Sequence, residues 1–159
     1  MLAYNGSIPG PTLRVKQGSK VTVTKTNEGD VDATVHWHGL RLENRYDGVP
    51  EETQAPILIG DSYAADLYFP DPGFYWYHPH IREDFAQEMG LYGTIIVEPS
   101  DPAYWPPVDR DLTITLDDLL IDCRGNSDPA IPLCPSERYI RDAPFFRLSV
   151  VNRLTNEWC

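Results

Sequence analysis

Lys20-Val21-Thr22-Val23-Thr24-Lys25-Thr26-Asn27 alternates apolar and polar positions, with Val21 and Val23 on one face. Side chains of an extended chain point to opposite faces in turn, so this period of two predicts a half-buried strand. A similar stretch, Thr12 to Val15, precedes it, and Gly18 supplies the turn between the two. On the other side, Asn27-Glu28-Gly29-Asp30 is a second turn cluster. Further strand-like runs follow at Thr34 to Leu40, Tyr63 to Phe69, Gly73 to Tyr77, Gly93 to Glu98 and Asp111 to Leu116, separated by Pro, Gly and Asp. Seven short strands in about 110 residues predict an all-β, Greek-key sandwich.

Composition agrees. A chain of 159 residues suffices for one well-cored domain plus an appendage. Its 15 prolines and 11 glycines favour turns and short strands over long helices. The formal charge of -11 argues against nucleic acid and anionic membrane surfaces, and leaves room for a cationic partner such as a metal ion. No apolar run approaches bilayer length, and Met1 to Pro11 lacks the basic start and apolar stretch of a signal peptide. The character changes after Asp122, where Cys123 to Pro135 is dense in chain breakers. A domain body over residues 1–121 and a loop-rich, irregular tail over 122–159 are expected. Within the tail, Phe145 to Val151 has strand character but needs a neighbour to pair with. Cys123, Cys134 and Cys159 all fall in the last quarter, so at least one is unpaired within a single chain, and they leave the redox compartment open.

The four histidines of the chain form two pairs, His36-Trp37-His38 and His78-Pro79-His80. On a strand, residues two apart share a face, so each pair brackets a metal if it is extended. One such pair is easily incidental; two pairs with no other histidine are not. Neutral imidazoles without a nearby thiolate suit copper at least as well as zinc, and zinc stays open as a water-activating alternative. Alternation is expected to send Trp37, Trp76 and Tyr77 into the core, and Met89 is read as core filling.

His36-Trp37-His38-Gly39 followed by Trp76-Tyr77-His78-Pro79-His80 resembles the first two copper motifs of the laccase-like multicopper oxidases. The resemblance includes Tyr4-Asn5-Gly6-Ser7-Ile8-Pro9-Gly10-Pro11 and runs through Met89 to Val97 to about Leu120, roughly three-quarters of the chain. It implies a cupredoxin sandwich in which His36 binds the type 2 copper, His38 and His78 one type 3 copper, and His80 the other. It implies also that Asp47, within Tyr46-Asp47-Gly48, is the acid that orients water and helps deliver protons; by local sequence the same residues are equally a plain Asp-Gly turn.

The family's type 1 site needs a cysteine between two histidines, and the corresponding position here is Pro79. Its remaining four cluster histidines come from a last cupredoxin domain, and residues 123–159 contain none. The tail from Arg138 to Asn152 resembles the strand that opens the family's second domain. The resemblance therefore implies half of an oxygen-reducing site, completed by another cupredoxin domain or a second copy of the chain. Phenols or metal ions would be the reductant and dioxygen the oxidant. Family resemblance implies a secreted or periplasmic protein. The alternatives are a copper-binding or storage module without turnover, and a truncated oxidase fragment that retains only the fold.

Overall fold

The computed structural model describes residues 2–117 and 147–152. They fall into two compact units, Leu2–Tyr104 and a second from Trp105 onward. The first unit is built from six strands: β1 (Gly10–Lys16), β2 (Lys20–Thr26), β3 (His36–His38), β4 (Ser62–Tyr68), β5 (Gly73–His78) and β6 (Gly93–Glu98). A 3₁₀ turn over Asn44–Tyr46 and a one-turn helix α1 (Glu83–Ala86) complete it. One sheet has the order β1-β6-β5-β3, the other pairs β2 with β4. The chain passes from one sheet to the other between β1 and β2 and again at each step to β5, so sequence neighbours face each other across a shared core.

The reason lies in the alternation. On β4 the inner residues Ala65 and Leu67 are buried while Ala64, Asp66 and Tyr68 are exposed, and Phe69 follows them into the core. They meet Trp37 of β3, Tyr77 of β5, and Ile95 and Val97 of β6, with Val21 and Val23 of β2 packed alongside. Removing apolar area of this size from water is the main stabilising term of a sandwich, about 25 cal/mol per Å². The central strand β6 is buried over Gly93 to Val97, flanked by β1 in parallel and β5 in antiparallel register. Met89 is buried, in keeping with its reading as filler.

All six expected strands of this unit are present; the run Thr34 to Leu40 shortens to three residues, and the first begins two residues early. The seventh, β7 (Leu112–Asp117), belongs to the second unit, where it pairs antiparallel with β8 (Arg147–Asn152) from Leu112↔Asn152 to Asp117↔Arg147. The neighbour needed by the terminal strand-like run is thus β7. The three cysteines and the breaker-rich stretch Cys123 to Pro135 lie outside the described residues.

Two features of the first unit have measurable effects. Gly48 has φ +78°, and a Cβ there would sit 2.2 Å from the Val35 carbonyl oxygen and 2.8 Å from the His36 nitrogen. Because both obstacles are backbone entering β3, they have little freedom to give way. Gly48→Ala is expected to cost at least about 2 kcal/mol in urea denaturation, from the left-handed backbone and overpacking together.

Lys25 occupies an inward position of β2, with its ammonium over Trp37 (5.4 Å to the ring centroid) and Tyr63 (4.8 Å) and donating to the Val35 carbonyl at 3.4 Å. Burial lowers its pKa from 10.5 to about 8. Between those values the unfolded chain holds a proton that the folded chain has released, so stability rises with pH through that window. Thermal midpoints should therefore climb between about pH 8 and 10.5, and Lys25→Met should be more stable than the wild type at pH 7 and lose the climb. An unchanged pH dependence in that variant contradicts the assignment.

Candidate metal centre

The β3–β5 pairing sets His36 opposite His78, Trp37 opposite Tyr77, and His38 opposite Trp76. Period-two alternation then sorts the six residues. Trp37 and Tyr77 point into the core, where they are 2% and 5% exposed. His36, His38, Trp76 and His78 share the other face. The expectation that all three aromatics enter the core is therefore corrected for Trp76: it has the parity of His78 and lies on the histidine side. Its ring stacks on His78 at 4.0 Å between centroids and 25° between planes, and lies 5.0 Å from His38.

His80 reaches the site differently. β5 ends at His78, and Pro79, which has no N–H to continue the ladder, is fully buried. The His80 N–H donates instead to Oγ1 of Thr34, a fully buried threonine just before β3, at 3.1 Å. This brings the His80 ring to 4.7 Å from that of His36, at 84°.

One nitrogen from each of His36, His78 and His80 lies within 4.8 Å of the others. The Nδ1 atoms are engaged elsewhere: that of His36 donates to the Asp47 carbonyl at 2.7 Å, that of His78 to the Pro79 carbonyl at 2.8 Å, and that of His80 lies 2.5 Å from the Glu83 carboxylate. With Nδ1 tied, Nε2 is the nitrogen left to a metal, the arrangement that fixes tautomer and ring direction in metal sites. His38 turns the other way, placing its Nδ1 3.2 Å from His78 Nε2. Burial, helped by the three neighbouring histidines, pushes the His78 pKa down and so favours the neutral, ligating ring. Convergent imidazoles with their outer nitrogens occupied fit copper; the nitrogen set by itself also accepts zinc.

Asp47 follows the 3₁₀ turn, and its Oδ1 lies 3.3 Å from His36 Nδ1. Sequence reading named all four histidines and Asp47, and the structure gathers His36, His78 and His80 with His38 and Asp47 at their side. It did not name Thr34, Trp76 as a partner of the rings, or Glu83. Trp76 was legible from its parity with His78; Thr34 and Glu83 carried no local signal beyond their distance along the chain.

A family profile described as multicopper oxidase matches residues 1–102. Copper resistance protein A of Pseudomonas syringae pv. tomato is 39% identical over 101 residues, 64% of this chain and 16% of that protein. Multicopper oxidase MmcO of Mycobacterium tuberculosis is 37% identical over 118 residues, 74% of this chain and 22% of that protein. Among solved structures, Lac15 from a marine microbial metagenome superimposes with a TM-score of 0.76 at 37% identity, covering 94% of this chain and 37% of that one. The blue copper oxidase from Nitrosomonas europaea gives a TM-score of 0.72 at 30% identity, covering 93% and 45%. The chain thus spans only 16% to 22% of the length of these two curated relatives. The β-sandwich is of the cupredoxin type found in these neighbours. On the match over residues 1–102, the chain belongs to the multicopper oxidase family, whose cofactor is copper.

Proposed function

We propose that this chain contributes His36, His38, His78 and His80 to a copper cluster at which a laccase-like oxidase reduces dioxygen to water. The observation that carries the reading is the convergence of three imidazole nitrogens within 4.8 Å, with His38 Nδ1 a further 3.2 Å from His78 Nε2. His36 is the type 2 ligand, His38 and His78 share one type 3 ion, and His80 holds the other. The short His38–His78 distance supports the shared assignment, since two ligands of one ion must bring their nitrogens close together.

Copper supplies one-electron redox steps and Lewis-acid stabilisation of reduced oxygen. The protein's own part is to hold neutral imidazoles in fixed directions and to manage protons. Asp47, half-buried beside His36, orients water and passes protons toward the site, because reduction of dioxygen to water consumes a proton with each electron. Electrons come from phenols or metal ions; relatives named Laccase 1, from Metarhizium acridum, and iron transport multicopper oxidase, from Candida albicans, support those two classes. The remaining donors belong to another cupredoxin domain or a second copy of the chain, and a secreted or periplasmic setting goes with the reading.

Copper titration followed by electron paramagnetic resonance and metal analysis tests the ligand set. The chain should bind copper, His36→Ala and His78→Ala should each lose most of the bound ion, and a wild-type stoichiometry near zero overturns the reading. Reconstitution separates half a site from a whole one. Oxygen uptake with a phenolic substrate should be absent for a monomer. Should light scattering show copper-dependent dimers, uptake should follow the dimer fraction, whereas a strict monomer at every copper ratio excludes the two-copy version.

A further inference from the structure

We propose that Glu83 is the positioning residue of His80, a carboxylate whose contact with Nδ1 fixes the ring so that Nε2 faces the other histidines. The inference rests on the metal-site reading above and extends it to a residue outside both histidine pairs.

The contact joins His80 Nδ1 and Glu83 Oε1 at 2.5 Å across three residues. A specific backbone shape makes it. Arg82 adopts the left-handed conformation at φ 46° and ψ 55°, which a side chain with a Cβ visits at a cost of about 1–2 kcal/mol. The reversal folds Glu83 back toward His80 and starts α1, whose turn is closed by Phe85 and Ala86 N–H groups donating to the Arg82 carbonyl at 2.9 and 2.6 Å. Ala86, 3% exposed, anchors the turn to the body of the domain. The adjacent charges are already matched: the Arg82 guanidinium donates to Asp84 at 2.9 and 3.0 Å, which leaves the Glu83 carboxylate to the imidazole. Left-handed backbone on a non-glycine residue is concentrated at sites where the strain does something, and here it delivers a carboxylate to a ring nitrogen.

The three Nδ1 tethers also differ in kind. His36 and His78 use main-chain carbonyls, those of Asp47 and Pro79. His80 uses a side-chain carboxylate, that of Glu83. A carboxylate partner holds a ring nitrogen by a charge-assisted contact that a carbonyl does not offer, and partners of this type are worth about 10–100-fold in metal affinity. Because the His80 and Glu83 side chains are 30% and 46% exposed, the pair is well solvated and adds little to fold stability. Its role is direction, so substitution should leave the fold intact.

The test has two independent readouts on the full chain. In the metal-free protein, long-range proton–nitrogen NMR correlations report the tautomer of each histidine. The wild type should show His80 protonated on Nδ1, Glu83→Ala should lose that preference, and Glu83→Gln, which keeps an acceptor without the charge, should retain it. In copper titrations against a competing chelator, Glu83→Ala should bind one ion about 10–100-fold more weakly, with an altered paramagnetic spectrum and an unshifted thermal midpoint. Glu83→Gln should fall between. Glu52→Ala, an exposed carboxylate that is neither in the histidine cluster nor a partner of its Nδ1 atoms, controls for net charge and should match the wild type. A Glu83→Ala variant with wild-type tautomer and wild-type affinity overturns the proposal, as does an equal loss in Glu52→Ala. Failure of the wild type to bind copper would instead remove the metal-site reading, with the tautomer experiment still deciding whether Glu83 orients His80.

Discussion

The antiparallel register of β3 against β5 is the constraint on which the site depends. Trp37 lies directly opposite Tyr77, both facing the core, and this same pairing places His36 opposite His78 on the other face. A slip of one residue would invert every side chain of β3, driving two imidazoles into the core and the indole out of it. Burying a large aromatic is worth about 2–3 kcal/mol, and burying an imidazole without its hydrogen bonds is unfavourable, so both effects oppose the slip. The histidine face is therefore held in place by the face behind it. Tyr77 adds a second lock, since its hydroxyl donates to the Pro11 carbonyl at 2.7 Å and its ring covers Gly93, where a Cβ would come within 2.2 Å of it.

Register alone delivers Cβ positions, not ring directions. These come from restraints of different physical origin: main-chain carbonyls for His36 and His78, the flat face of Trp76 for His78, and a carboxylate for His80. Each limits rotation of an imidazole before any ion arrives, which reduces the ordering that binding must impose. Close packing of the four rings works in the same direction. Protonating one makes protonation of its neighbours harder, and His78, the most buried, is already pushed toward neutrality. A chain carrying a formal -11 thus sets its imidazole cluster within a negative field, favourable for a cation.

Much of this was readable in the linear sequence, because alternation is a local signal. The strands around Val21-Thr22-Val23 and Gly93 to Glu98 lie where period and turn residues predict them, and the two His-x-His pairs announced the site. The errors have physical causes. Alternation was applied to Trp76 as if it interleaved with the histidines, although it stands two residues from His78 and so shares its face. The idea that each pair sits on one strand holds for His36 and His38 but stops at Pro79, where the ladder ends; His80 is returned by a long-range bond to Thr34, forty-six residues away. The Glu83 contact depends on one left-handed Arg82, a backbone choice that propensity does not reveal for arginine.

The asymmetry between the two pairs bears on how the half-site would meet its complement. His36 and His38 stand on a strand fixed by core packing. His80, in contrast, hangs on a buried threonine and a half-exposed carboxylate, and its ring is 30% exposed. Under the proposed reading, every histidine of the chain is already committed, so the donors that complete the cluster must approach from the open side. The first pair is therefore placed by its strand, while the second is placed half by its strand, at His78, and half by contacts made beyond the strand's end, at His80. The difference in how the two pairs are held follows from the motifs themselves, because one lies within its strand and the other crosses the proline that ends it.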